Sequence, residues 1–223
     1  MAATAESVTG AAEVASTARL LAAAGLVEAF GHVSARDGAD GFTITATAPL
    51  GAASPESVLA CDAVGEQSAD GVGLPLETPL HAAIYAARPD VGAIARVHGK
   101  AIAAAGLGPR APGVAHGLGG LSGRVAAWAD PQLVTDGERA AAAAAAIGSA
   151  DCLLIRGNGA VVTAPDLACA AVRAWFLEER CRVWAAAGTE LSAVELEERS
   201  AHYPAETARA WAWLRWRFGG GRG

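Results

Sequence analysis

The chain has 223 residues, a net charge of −6, and 52% hydrophobic residues, of which alanine supplies a large share. The alanine-rich run "AAAAAAIG" ending at Gly148 is far short of the ~20 residues a membrane span needs, so a transmembrane class is excluded. Lys100 is its one lysine and no basic stripe is present to neutralise phosphates, which argues against a nucleic-acid partner.

In chain order, helical patterning runs from about Ala11 to Ala24, with Gly25 placed as a C-terminal stop. "GHVSARDGADGFTITAT" alternates around a turn-rich centre and predicts a hairpin. "SPES" (54–57) marks a helical turn or strand entry, and "VLACDAVG" follows as a short strand. "ETPLHAAIYAAR" is a helix with Pro79 in its first turn, and "VGAIARVH" is a strand apolar enough to be covered on both faces. From Gly106 to Gly123 the chain is Gly/Pro-rich and irregular. Thr135 and Glu138 have capping-box spacing before the alanine helix. "DCLLIRGNGAVVTA" predicts two strands about a Gly-Asn-Gly turn, and Thr163 with Pro165 and Asp166 opens a long helix to about Ala187. In "RAWAWLRWRFGGGRG" the residues Trp211, Trp213, Trp216 and Phe218 suit a docked terminal helix or a subunit contact, and residues 219–223 a frayed tail.

These elements form one α/β domain over 1–223, a central mixed sheet with helices on its faces. Cys61, Cys152, Cys169 and Cys181 show no C-x-x-C spacing and are expected as reduced core thiols. No basic segment followed by an apolar stretch and cleavage site opens the chain, which points to the cytoplasm.

The chemistry-bearing residues are few. Glu77 opens a helix after "GVGLPL" and reads either as a cap or as a functional carboxylate favoured by the helix dipole. Arg96 and His98 share a strand face, and an inward arginine is costly unless paired, which favours function for Arg96. His98 alone reads equally as a packed histidine. Asn158 between two glycines suits a turn residue with positive φ. His32 follows Gly31 at a strand start, as a ligand contact or a packed polar group. His81 is one helical turn from Glu77; that pair could hold a metal or share a hydrogen bond. His116 and His202 read as surface or loop histidines.

The order of these stretches, from "LLAAAGLVEAFGHVSAR" through "GFTITAT", "LETPLHAAIYAARPDVGAIARVHG" and "LLIRGNGAVV" to "FLEERCRV", resembles the class II aldolase/adducin family, which includes the L-fuculose-phosphate-type aldolases. The resemblance covers nearly the whole chain. It implies a three-layer α/β/α fold about a largely antiparallel or mixed sheet, a homotetramer, and a small-molecule substrate. It also implies a divalent metal (zinc or manganese) held by three histidines, with a glutamate moving the proton. Glu77 matches that glutamate and His98 the second histidine. Arg96 stands at the first histidine and Asn158 at the third. A guanidinium ~4 Å from a dication would repel it by about 8 kcal/mol at an effective dielectric of ~20, and one imidazole with an amide oxygen is a poor zinc set. No tightly bound cofactor is therefore expected.

The phosphate-cradling pattern also departs. Ala29-Phe30-Gly31-His32 replaces a "T-x-G-N" loop, and Pro75-Leu76 replaces paired serines. The expectation is a lyase breaking a carbon–carbon bond, by retro-aldol cleavage or decarboxylation, in a non-phosphorylated, carboxylate-bearing molecule with an aromatic or alkyl portion, through an enolate-like intermediate. Glu77 and Arg96 are its expected catalytic residues, Arg96 supplying charge in place of a metal or anchoring a substrate carboxylate. His32, Phe30 and Asn158 are placed in substrate binding and His98 as the retained metal ligand. The alternatives are a conventional metal aldolase and a non-catalytic scaffold of the adducin kind. Tyr203 would dock the terminal helix or reach a neighbouring subunit.

Overall fold

The computed structural model describes residues 7–39, 41–66 and 73–220. Helix α1 (Ser7–Ala23) starts earlier than the Ala11 expected and stops where Gly25 takes φ +74, the left-handed conformation that ends helices. The expected hairpin is β1 (His32–Asp37) against β2 (Gly41–Thr45), with Ser34 opposite Ile44. A helical turn at Pro55–Ser57 leads into β3 (Val58–Asp62). Helix α2 (Thr78–Ala87) and strand β4 (Ala93–Val97) follow as expected, and β4 is buried along its whole length.

Next come α3 (Lys100–Ala105), β5 (Val125–Trp128), α4 (Gly137–Ile147), β6 (Cys152–Ile155), β7 (Ala160–Ala164), α5 (Leu167–Ala187), α6 (Ala193–Ser200) and α7 (Tyr203–Phe218). The sheet order is β3-β2-β1-β4-β7-β6-β5, antiparallel at every pairing except β5 with β6. Alternation along β4 divides the core. Ala95 and Val97 pack with Leu21 of α1, Val172 and Leu177 of α5 and Leu214 of α7. Ile94 packs on the other face with Leu80 and Ile84 of α2 and Ala143 and Ile147 of α4. This is the expected three-layer α/β/α arrangement about a mostly antiparallel sheet.

Several local expectations are corrected. Asp136, not Thr135, caps α4: its carboxylate accepts the Arg139 N–H, because the helix begins one residue later than the capping-box spacing implies. Thr163 lies in β7, its hydroxyl donating to the Asp151 carbonyl, and Asp166 alone caps α5 by accepting the Cys169 N–H at 2.7 Å. Asn158 does not take a positive φ; Gly157 (φ +62) and Gly159 (φ +73) absorb the turn. Glu77 occupies the N-cap position of α2 but makes no side-chain cap bond. Trp213 and Phe218 do pack on Trp175, with ring centroids 5.4 and 5.3 Å away, whereas Trp216 faces solvent. The four cysteines are free thiols, Cys169 only partly buried. Asp40 of the hairpin turn, residues 71–72 of "GVGLPL" and residues 221–223 of the tail lie outside the described residues. Among the described residues no helix is long and apolar enough to cross a membrane.

Candidate active site

Two rows of polar side chains face each other between the sheet and α2. On β1 the period of two puts His32, Ser34 and Arg36 on the face toward α2. On α2 the spacing of four stacks Glu77, His81 and Tyr85 on one side. The rows interleave. His32 Nδ1 lies 2.7 Å from His81 Nε2, His81 Nδ1 lies 2.6 Å from Ser34 Oγ, and Ser34 Oγ lies 2.8 Å from Tyr85 Oη. Arg36 closes the far end by donating to the carbonyls of Tyr85, in the last turn of α2, and of Arg88, which follows it. Its guanidinium also lies 4.8 Å from the Tyr85 ring centroid.

The near end is Glu77. Its Oε2 accepts from Arg96 Nε at 2.9 Å, and its Oε1 accepts the backbone N–H of Val134 at 3.1 Å. His32 Nε2 stands 3.6 Å from the same Oε2, beyond a full hydrogen bond. Burial pushes the Glu77 carboxyl up, but His32, the Arg96 charge and the Val134 N–H outweigh it and hold the group at about 2. Glu77 is thus ionised at neutral pH. Burial lowers His32 despite Glu77 beside it, lowers His81 well below the ordinary imidazole range, and brings His98 to about 4 with help from the Arg96 charge. All three imidazoles are neutral at pH 7.

Arg96 lies opposite His32 in the sheet and is 0% exposed. Its charge rests on Glu77, while its Nη2 is buried with no hydrogen-bond partner. It forms the floor behind Glu77 and does not line the cavity, so the substrate-carboxylate contact expected of it is not what the geometry shows. The turn after β6 presses on it from the side: a Cβ on Gly159 would fall 2.1 Å from the Val97 carbonyl and 3.1 Å from Arg96 Nη1.

A cavity of about 420 Å³ opens over Glu77. Glu77, His32, His98 and Asn158 form its polar end; Ala29, Phe30, Pro75, Leu76 and Leu133 belong to its apolar wall. Phe30, Leu76 and Leu133 are 78, 71 and 48% exposed, three large apolar side chains about one opening. No lysine or arginine lines the cavity among the described residues.

The residues present do not fit a divalent ion. His98 offers an imidazole whose Nδ1 is buried and unpartnered, but the guanidinium of Arg96 occupies the carboxylate oxygen a metal would need. Among the described residues, no three His, Cys, Asp or Glu side chains group so as to hold a metal. Of the residues singled out in the sequence, Glu77, His32, Phe30, His98 and Asn158 meet at the cavity and Arg96 stands behind it. Sequence reasoning missed Ser34, Tyr85, Leu133 and Val134. The first two carried a signal, H-x-S-x-R against E-x₃-H-x₃-Y; the last two lie in a loop with none.

The comparisons with known proteins agree with this architecture. Solved structures of like fold include an aldolase II superfamily protein from Pseudomonas syringae (20% identity, 97% of this chain and 94% of that one, TM-score 0.83). L-fuculose 1-phosphate aldolase from Glaciozyma antarctica matches at 16% identity over 96% of this chain and 92% of its own, with TM-score 0.79. L-fuculose-1-phosphate aldolase from Thermus thermophilus matches at 24% identity over 81% and 97%, with TM-score 0.66. A comparison with proteins of curated function gives no match. The sequence profile of the class II aldolase and adducin N-terminal domain matches residues 12–185, most of the chain, and supports a carbon–carbon lyase of the aldolase type. The chain belongs to the class II aldolase and adducin family.

Proposed function

We propose that this protein is a carbon–carbon lyase that performs retro-aldol cleavage of a small, non-phosphorylated β-hydroxy carbonyl compound with an apolar or aromatic portion. One observation carries the reading: an ionised carboxylate, Glu77, held by two donors at the polar end of a largely apolar cavity beside a neutral imidazole. The apolar wall suits an alkyl or aryl group, and with no lysine or arginine among the described lining residues a doubly charged phosphate would have no charged partner. A substrate carboxylate would rest on the neutral groups of Asn158 and His98.

An ionised Glu77 begins the reaction as a base. It takes the proton of the substrate hydroxyl; that oxygen's electron pair forms an aldehyde carbonyl as the carbon–carbon bond breaks. The bonding pair passes to the neighbouring carbonyl and gives an enolate, whose oxygen the His32 N–H steadies. Protonated Glu77 then returns its proton to the enolate carbon, so the balance is one substrate to two carbonyl products. Decarboxylation would leave an enolate carbon that takes its proton from elsewhere, since Glu77 starts ionised and has no substrate hydroxyl proton to return.

The test is aldehyde release from a panel of β-hydroxy ketones and 4-hydroxy-2-keto acids, each with and without a phosphate. Turnover of the unphosphorylated members, lowered by about 10²–10⁴ in Glu77→Gln, is expected. Preference for the phosphorylated members, or turnover indifferent to Glu77→Gln, would defeat the reading.

A further inference from the structure

Between Glu77 and the interior the chain keeps four polar side chains, His32, His81, Ser34 and Tyr85, all buried, joined by contacts of 2.6–2.8 Å. None of the last three lines the cavity, and cleavage by Glu77 as written above does not need them. Their hydrogen positions, however, follow from the two ends. Tyr85 Oη has Ser34 Oγ as its one hydrogen-bonding neighbour among the described residues, so a buried hydroxyl must donate there or donate to nothing. Ser34, having accepted, turns its own hydrogen to His81 Nδ1. His81 Nδ1 is then an acceptor, and a neutral imidazole carries its hydrogen on the other nitrogen, so His81 Nε2–H donates to His32 Nδ1. By the same rule His32 holds its hydrogen on Nε2. The opposite end demands the same result, since a lone pair on His32 Nε2 would face the ionised Oε2 of Glu77 at 3.6 Å.

We infer that Tyr85, Ser34 and His81 act as positioning residues that lock His32 as its Nε2–H tautomer, so that a neutral imidazole donor is aimed at Glu77 and at the enolate oxygen of a bound substrate. Every donor in the chain points the same way, toward the cavity, and each bond polarises the next. A neutral imidazole suits an enolate: it stabilises the developing charge as a fixed dipole and leaves proton movement to Glu77. Arg36, the cation beside Tyr85, approaches it through the ring face and the backbone carbonyl and leaves the hydroxyl free to donate to Ser34.

The tautomer is measurable without a substrate, although the role assigned to it rests on the lyase reading. The experiment is ring-¹⁵N chemical shifts of histidine-labelled full-length protein; five histidines keep the spectrum assignable by single substitutions. The wild type should show His32 and His81 neutral, protonated at Nε2 and bare at Nδ1, across pH 7–8. Ser34→Ala removes the acceptor and donor between Tyr85 and His81, and should shift both rings toward the Nδ1–H form. Tyr85→Phe leaves Ser34 free to turn and should give a mixture. Where a variant does not fold, the wild-type shifts decide alone. His32 as the Nδ1–H tautomer or as imidazolium in the wild type overturns the inference, as does a Ser34→Ala protein with unchanged shifts. With an active substrate in hand, Ser34→Ala should lower kcat about 10- to 100-fold, less than direct loss of an oxyanion donor, with KM little changed. The expected shifts without any turnover would sink the lyase reading and leave the locked tautomer standing; turnover with the wrong tautomer would do the reverse.

Discussion

Breaking the Glu77–Arg96 pair one side at a time should expose how much stability it holds. The Arg96 side chain is 0% exposed and that of Glu77 6%, so either partner left alone is a charge out of water. Arg96→Met keeps the volume and removes the cation; Glu77→Gln keeps an acceptor for Val134 and leaves the guanidinium bare. Removing one member of such a pair costs about 3–5 kcal/mol. The carboxyl gives a similar figure: a group at about 2 in the fold and 4.5 when unfolded contributes roughly 3 kcal/mol. Because the folded value is depressed, that contribution is full above pH ~4.5 and is lost as the pH falls from 4.5 toward 2. Urea denaturation at pH 7 of both single variants and the double variant measures it. Each single variant should lose about 3–5 kcal/mol, and the double variant should lose less than the sum of the two. For a chain of this size the melting temperature should drop by about 2–4 °C per kcal/mol. Single costs below about 1 kcal/mol that simply add would show that the guanidinium does not rest on the carboxylate.

Four further outcomes are expected. His98 at about 4 in the fold against 6.5 when unfolded must bind a proton on unfolding, so stability should decline as pH falls from 6.5 toward 4, and His98→Gln should flatten that segment of the denaturation-versus-pH curve. Gly159→Ala forces a side chain onto φ +73 with its Cβ 2.1 Å from the Val97 carbonyl; a loss above about 2 kcal/mol in urea is expected, and a loss under 0.5 would refute the close approach. Phe30→Ser, at a position 78% exposed, should change stability by no more than about 0.5 kcal/mol while weakening binding of apolar ligands in a fluorescence titration. Elemental analysis after dialysis against chelator should find zinc and manganese well below one per chain, with the melting temperature unmoved; one firmly held ion per chain would contradict the donor set described for His98, Glu77 and Arg96.

The strands and helices that carry periodic patterns were legible. The hairpin around "DGADG", the fully buried β4, the Gly-Asn-Gly connection and the long α5 follow from alternation, apolar runs and caps. What escaped is short or aperiodic. Helix α3 has six residues and no side-chain cap, and β5 is a four-residue edge strand with no clean alternation. At the site, Glu77, His32 and His98 could be picked out because charged and imidazole side chains in apolar stretches need a reason. The partner of Arg96 could not, because pairing a strand residue with a helix start nineteen positions away is a property of packing. Val134 contributes only its backbone N–H, which any residue type supplies, so its side chain gave no clue.

The interlocking of β1 with α2 limits what change this architecture tolerates. Two strand residues advance ~6.7 Å and four helix residues ~6 Å, so three rungs drift out of step by only about 1.4 Å. A fourth rung would have no partner at hydrogen-bond length, and Arg36 already meets Tyr85 by its ring and carbonyl instead of its hydroxyl. Substitution at a rung swaps one tooth; inserting a single residue in either element turns the whole comb away from its mate, so length in these two segments is far less negotiable than residue identity.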